Sequence, residues 1–409
     1  MITVATDNLE PGMTLSADVL DVNSRLLLSK GLKIQPKHIR VFKIWGVTEV
    51  PIEGKNGRPD PSAVGVTTET ANRVIRETRR VFSHQDLGHP ATKELFRQAV
   101  YYRSQMGSTD RTNPATEVQQ NEKKGSSNAD IMKKLEGSQI KLPELPAIIN
   151  ELNEVIARPN ASATDIARIV DKSASLVTVL LKIVNSALYT FPSPIDSISR
   201  AVTLIGSKEI TSLAVGISVM RMFKNIPNDL VDIRSFMRHS LACGIISRIL
   251  AARKNIPETE KLFVSGLLHD IGRLVLYKYF QEESQTLLIR ARSEDVPLHC
   301  KEQSILGCRH TTIARHILKK WRLSSHLMDS VFYHHTPSSA DLLEDAAIVH
   351  ISDIIVNALG MGSSGEFLVP YFDTDAWDRV GLSPSILNQV IRQSLHQLGS
   401  LENILTVEK

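Results

Sequence analysis

The chain has no unbroken apolar run of about 20 residues, the length needed to cross a bilayer, so no transmembrane helix is expected. Its first residues, Met1-Ile2-Thr3-Val4-Ala5-Thr6-Asp7, lack the basic stretch and apolar core of a secretory signal. Cysteine is scarce. Cys243, Cys300 and Cys308 are the only 3 in 409 residues, an odd number without a CxxC pair. A disulfide framework and a cysteine zinc site are therefore not expected, and the chain reads as cytoplasmic with reduced thiols. A large excess of one charge is also missing. Lys and Arg number 48 against 44 Asp and Glu, a net charge of +4. The basic residues are mostly interleaved with acids, so neither nucleic acid nor a membrane surface is the expected partner. No internal repeat or heptad array runs along the chain.

What is present is globular. Hydrophobic residues make up 42% and charged residues 22%, and the length points to two or three domains. Residues 1–55 read as a small β-rich module. Two apolar runs, Thr14 to Leu20 and Leu26-Leu27-Leu28, flank a turn signal at Asp21-Val22-Asn23-Ser24. A short helix from Pro36 to Trp45 closes at Gly46, and Val47 to Ile52 forms a last strand. Residues 66–103 carry helical periodicity broken near Gly88-His89-Pro90, with Arg73, Arg76, Arg79 and Arg80 as a basic stripe that is most simply a solvated face. Residues 104–129 are polar and nearly devoid of apolar side chains, the composition of a flexible linker. This linker is expected to separate the front of the chain from a helical remainder.

From Ile131 onward the pattern is helical. Leu142, Leu145, Ile148, Ile149, Leu152, Val155 and Ile156 are spaced for one buried face. Asp165 to Val170 gives a second helix, and Leu176, Val179, Leu180, Ile183 and Val184 line a third, which Pro192 and Pro194 prevent from continuing. Ile198, Ala201, Val202 and Leu204 form another helix, stopped at Gly206, and Ile210, Leu213, Ala214 and Ile217 one more. Near the C-terminus Ser383-Pro384-Ser385 opens a helix whose Ile386, Val390, Ser394 and Leu398 face inward. Residues 341–409 are expected to be a helical extension packed back on the bundle.

The residues with the most chemistry are His269 and Asp270, in a helix whose apolar face is Phe263, Leu267, Leu274 and Tyr277. A charged Asp there is costly to bury unless it is paired or bound to a cation. Alone, the pair is more often capped or hydrogen-bonded than metal-binding. His239, His310, His334-His335 and Asp353 are further candidates, each on or beside an apolar helix. Taken singly, His239 and His310 read as satisfied core histidines and His334-His335 as a helix-end cap; an exposed acid is the plain reading of Asp353, against which its apolar neighbours Ile351, Ile354 and Ile355 argue. Taken jointly they supply what a hydrolytic two-metal centre needs, imidazoles and carboxylates from several elements. Mn, Fe, Co, Ni and Zn suit that donor set. His299, His326, His350 and His396 read as structural or surface residues, and His316 falls on a different face of the His310 helix.

Several stretches resemble known families. Leu9, Pro11-Gly12-Met13, Leu27-Leu28, Gly31 and Trp45-Gly46-Val47 resemble a small module found ahead of some bacterial HD-type signalling domains. Leu142-Pro143-Glu144-Leu145-Pro146, then Val184-Asn185-Ser186-Ala187-Leu188-Tyr189, then Ser197 to Gly206, strongly resemble the HDOD domain, an all-helical bacterial signalling module of the HD superfamily. The resemblance implies a mainly α protein, an HDOD bundle over 131–340 behind a small β-rich domain. His239, His269, Asp270 and Asp353 fall where the superfamily's H…HD…D signature falls, and His310, His334 and His335 resemble the added histidines of the HD-GYP branch, which degrades cyclic di-GMP.

By that resemblance Asp270 bridges two divalent ions, with His239, His269 and Asp353 on one and His310, His334 and His335 on the other. The chain departs from HD-GYP in three places. Arg273 stands where a Lys is usual, Ser235 where an acid precedes the first histidine, and Thr336-Pro337-Ser338 in place of the GYP tripeptide. Two functions are thus expected to compete. One is a regulatory module that binds a nucleotide-like ligand or a signalling protein and retains a divalent-metal site. The other is an active metal-dependent phosphohydrolase resembling a nucleotide phosphodiesterase. A purely structural scaffold leaves the His and Asp cluster without a reason. The oligomeric state is left open.

Overall fold

A computed structural model of the chain describes residues 2–6, 9–20, 26–44, 47, 49–53, 68–105, 131–137, 140, 142–156, 158, 162–189, 191–223 and 226–405. It is mainly helical, with a small strand region at the front. There β1 (Ile2–Ala5) pairs antiparallel with β4 (Glu49–Ile52), and β2 (Val19–Leu20) pairs antiparallel with β3 (Leu26–Leu28). Helix α1 (Pro36–Ile44) contributes Phe42 to a core of its own with Leu15, Val19, Ile34, Val50 and Ile52. Strand β1 is too short for its alternation to stand out in the sequence. The turn expected at 21–24 lies outside the described residues.

Helices α2 (Thr68–Val81) and α3 (Pro90–Gln105) break where Gly88-His89-Pro90 predicts. Their allegiance differs from the expectation that everything before the linker stands apart. Phe82, Ala91, Leu95 and Ala99 are buried in the same core as the helices beyond residue 131. Arg103 donates from Nε to the Ala358 carbonyl at 2.8 Å, and from Nη2 to Asn357 O at 3.1 Å. The hairpin thus closes the C-terminal end of another helix, where orphan carbonyls need donors. Of the expected linker, residues 104 and 105 complete α3 and the remainder lies outside the described residues.

The next six helices are α4 (Ile131–Glu136), α5 (Ala147–Ile156), α6 (Ala163–Val170), α7 (Ala174–Val184), α8 (Ile198–Ile205) and α9 (Ser207–Arg221). Pro146 delays α5, so Leu142 and Leu145 reach the core from extended chain rather than from the helix face expected of them. A capping box between Ser162 and Asp165 starts α6. Asn185 ends α7 and grips Ile195 from both sides, Nδ2 to the carbonyl and Oδ1 to the amide, each at 2.7 Å. Leu204, expected inside, is 50% exposed at the outer edge of α8.

The remaining helices are α10 (Ile233–Arg253), α11 (Thr259–Leu268), α12 (Ile271–Tyr279), α13 (Gln281–Ser293), α14 (Leu298–Leu306), α15 (His310–Lys320), α16 (Ser325–Phe332), α17 (Leu343–Leu359), α18 (Thr374–Val380) and α19 (Leu387–Leu405). Helices α10 and α17 are buried along most of their length, and Val390, Ser394 and Leu398 of α19 face the core. Tyr189, Glu260 and Arg248 tie the two halves together. The Tyr189 hydroxyl donates to Glu260 Oε1 at 2.9 Å, and the same oxygen accepts from Arg248 Nε at 3.1 Å. Among the described residues no single helix is long and apolar enough to cross a membrane; α8 and α9 pass that test only as a pair bent by 119°.

Candidate metal centre

Four elements converge on the His-Asp pair. Helix α10 carries His239, α17 carries Asp353, α15 opens on His310, and His334 and His335 come directly after the end of α16. The pair itself differs from expectation. His269 and Asp270 do not lie inside one helix but at the junction of α11 and α12, where Asp270 leaves helical geometry at φ −98°, ψ 16°. The apolar residues on either side belong to two helices, both buried nearly all round, so their spacing masks the break. Glycines set the approach. A Cβ on Gly266 would stand 2.6 Å from the Cys243 carbonyl oxygen, so only glycine lets α11 come this near α10.

The structure brings all seven candidate residues together. His239, His269, Asp270, His310, His334 and Asp353 are each no more than 3% exposed, and His335 is partly buried beside them. On one side His239 Nε2 lies 3.3 Å from His269 Nε2 and 3.2 Å from Asp353 Oδ1, and His269 Nε2 lies 3.5 Å from Asp353 Oδ1. Asp270 Oδ2 joins them at 3.3 Å from His269 and 3.8 Å from His239. On the other side Asp270 Oδ1 lies 3.1 Å from His310 Nε2 and 4.0 Å from His334 Nε2, and these two nitrogens are 3.5 Å apart. His335 offers a ring nitrogen within 4.8 Å of both. Two atoms held by one ion at about 2.1 Å stand roughly 3.0 Å apart at a right angle and 3.4 Å at the tetrahedral angle. The observed spacings sit close to those edges.

The rings are also turned the right way. Nδ1 of His269 faces the Gly266 carbonyl at 2.7 Å, and Nδ1 of His334 faces the Val331 carbonyl at 2.8 Å. A carbonyl only accepts, so each Nδ1 carries a proton, and Nε2 is the ring atom left to meet an ion or, without one, a second proton. Nδ1 of His310 lies 2.7 Å from both oxygens of Glu302, with the same result. Lone pairs of several imidazoles pointed at one another and at carboxylates repel unless a cation or protons stand between them. Asp270 Oδ1, fully buried, makes no well-aligned hydrogen bond despite its nearby histidine. The donor set and its orphaned oxygen therefore fit a divalent ion on each side of Asp270.

Charged groups behind the donors fix their state. The Arg273 guanidinium is buried within 3.4 Å of Asp270 Oδ2, 3.5 Å of Glu302 and 3.8 Å of Glu366. Burial alone would raise the Asp270 carboxyl, but Arg273 and His269 hold it well below the ordinary range. Glu302, also fully buried, is held down at about 2 against the same penalty by His310 and Arg273. Burial opposes a charge on His269, yet Asp270 and Asp353 lift it to about 10. His334 and His335 go the other way, driven well down by burial and by neighbouring histidines. Two groups of rings are thus distinguished, one drawn to a positive charge by carboxylates and one kept neutral.

Sequence reasoning missed several contributors. Glu302 accepts the His310 backbone N–H at 2.9 Å, so it caps α15 and orients its first side chain at once. It sits eight residues upstream with no motif around it. Glu366 accepts the Leu298 N–H at 2.8 Å from a strap over residues 361–373 that crosses the cluster. Ser364 in that strap accepts from Arg273 at 2.8 Å, and Gly362 packs on the backbone of Ser235 and His239. His299, read as structural or surface, is half-buried, and its ring stacks on His335 with centroids 4.0 Å apart and planes 11° from parallel. His350 is structural: its Nδ1 donates to the His334 carbonyl at 2.7 Å and its Nε2 accepts from Asp373 N at 3.0 Å. Cys243, one turn beyond His239, lies with its sulfur 3.8 Å from His239 Nε2.

Comparisons with known proteins agree with this architecture. The HDOD domain family matches residues 142–337. An HDOD domain protein of unknown function from Geobacter sulfurreducens superposes with a TM-score of 0.57 at 19% identity, covering 68% of this chain and 98% of that one. A Shewanella amazonensis protein provisionally named a metal-dependent phosphohydrolase gives 0.51 at 22%, covering 66% and 96%. A Marinobacter aquaeolei protein provisionally named for signal transduction gives 0.52 at 19%, covering 76% and 67%. An uncharacterized protein of Treponema pallidum is 22% identical over 196 residues, which span 47% of this chain but 37% of that relative. With the HDOD motifs, the helical bundle and the family match all falling on the same stretch, residues 142–337 are an HDOD domain of the HD superfamily.

Proposed function

We propose that this chain is a regulatory HDOD protein whose bundle retains a binuclear divalent-metal centre. One observation carries the reading: the two oxygens of Asp270 meet different histidines, Oδ2 lying 3.3 Å from His269 and Oδ1 3.1 Å from His310. In this reading His239, His269 and Asp353 would hold one ion and His310, His334 and His335 the other, with Asp270 available to both. Burial of the donors supports a regulatory role, in which the bundle responds to a nucleotide-like ligand or a signalling partner. Metal analysis of untagged protein tests it: two equivalents of Mn, Fe, Zn or a similar ion per chain are expected. Protein that stays metal-free after incubation with Mn²⁺ sinks the proposal.

Phosphoester hydrolysis is the second reading, favoured by the bridging position of Asp270. A pair of ions bound there supplies an activated water at neutral pH. The chain's own part is to hold that arrangement. Arg273 keeps Asp270 ionised, Glu302 keeps the His310 lone pair directed inward, and the strap over residues 361–373 excludes bulk water. The provisional phosphohydrolase name of a structural neighbour accords with this reading. Hydrolysis of a generic aryl phosphodiester with added Mn²⁺, lost in Asp270→Asn, supports turnover; metal-replete protein without activity leaves the regulatory reading alone.

A further inference from the structure

We infer that Cys243 is a sulfur ligand of the first metal subsite and makes that subsite select a thiophilic ion such as Zn²⁺. The inference rests on the binuclear reading above and adds a donor that the H…HD…D pattern does not contain. His239 and Cys243 are one turn apart on α10, so their side chains leave the same face. The sulfur lies 3.8 Å from His239 Nε2. A sulfur at about 2.3 Å and a nitrogen at about 2.1 Å from one ion stand roughly 3.6 Å apart at the tetrahedral angle. One ligand atom from each of His239, Cys243, His269 and Asp353 lies within 4.8 Å of every other, and all four residues are buried.

Cys243 is fully buried and is not disulfide-bonded. Its neighbour in this pocket is an unsaturated set of nitrogen and oxygen donors rather than plain hydrocarbon. The second subsite holds only nitrogen and oxygen: His310, His334, His335 and Asp270. Thiolate favours zinc and other thiophilic ions, whereas imidazole and carboxylate alone also accept Mn²⁺. The two halves of the centre therefore differ in softness, and the first accepts the softer ion. On binding, the sulfur–metal bond forms and the thiol proton leaves to water.

Cobalt substitution reads this directly. The untagged full chain is stripped with a chelator, reloaded with Co²⁺ and followed by absorption. A sulfur-to-cobalt charge-transfer band is expected in the near ultraviolet, lost in Cys243→Ser and retained in a Cys300→Ser/Cys308→Ser double variant. Cobalt that binds without the band in wild-type protein, or a band that survives Cys243→Ser, overturns the assignment of Cys243 while leaving the metal centre standing. Protein that binds no cobalt overturns both. Should Cys243→Ser fold poorly, the wild-type spectrum and the double variant still decide, because a band lost with Cys300 and Cys308 places the sulfur elsewhere.

Discussion

The backbone at Gly272 lies against His310 so closely that a Cβ placed on Gly272 would stand 2.0 Å from the His310 carbonyl oxygen and 3.1 Å from Ala314 N. Glycine at this position thus sets how far α12 stands from the first turn of α15, and with it the height of the His310 ring. Gly272→Ala is expected to destabilise the fold by overpacking, about 1–3 kcal/mol, and to lower metal content at the second subsite. Chemical denaturation with parallel metal analysis checks both; an unchanged midpoint would mean the two backbones separate freely.

Asp270→Asn keeps the shape of the side chain and removes the charge facing both subsites. The expected outcome is loss of both ions together, with the helical content and melting temperature near wild type, since the core is made of Leu, Ile and Val. His310→Ala should remove only one ion, and His396→Ala, on the exposed face of α19, none. If Asp270 served only to neutralise Arg273, Asp270→Asn would lower the melting temperature and leave metal content as it was.

Glu302→Gln tests the support behind the donors. The carboxylate accepts from both Nδ1 and the backbone N–H of His310. Its neutral analogue weakens the hold on that ring and makes the His310 nitrogen a poorer donor. Metal affinity at the second subsite is expected to drop about 10–100-fold, with the first subsite little changed. Competition against a chromogenic chelator measures each step.

The candidate donors were legible through resemblance, because His239, His269-Asp270 and Asp353 fall where the H…HD…D signature falls, and apolar residues around Asp353 argue against free solvation. Their supports were not. Glu302 touches His310 only because the turn at Gly307 sets the start of α15 beside the middle of α14, and Glu366 arrives from a segment with no regular structure. Arg273 could be seen only as a departure from a Lys pattern, although in the fold it is the cation shared by three carboxylates. Helix existence was legible for α6 to α9 from periodicity alone, whereas the break at Asp270 was hidden by hydrophobic residues that continue through it. A count of cysteines passes over Cys243, because a metal site with a single thiolate leaves no spacing to recognise.

Truncation tests where the helical body begins. Because Leu95 and Ala99 are buried in its core and Arg103 caps α17, the fragment 68–409 is expected to melt near the full chain and to keep its metal. The fragment 131–409 should melt lower, having lost the cover on the helix that carries Asp353. Equal melting temperatures for the two fragments would show that the α2–α3 hairpin is dispensable.

The hairpin also grips the strap. Gln85 Nε2 donates to the carbonyls of Val369 and Pro370 at 2.9 and 2.8 Å, and Val369 N donates to Val81 O at 2.9 Å. With the candidate donors this deeply enclosed, an ion held there would exchange only during excursions in which the strap and its neighbours part. The lifetime of a loaded centre is then a clock for those excursions rather than a measure of how tightly the ion is held. Above a modest chelator concentration the stripping rate should stop rising and equal the opening rate, and Gln85→Ala should quicken it without changing the equilibrium content of metal.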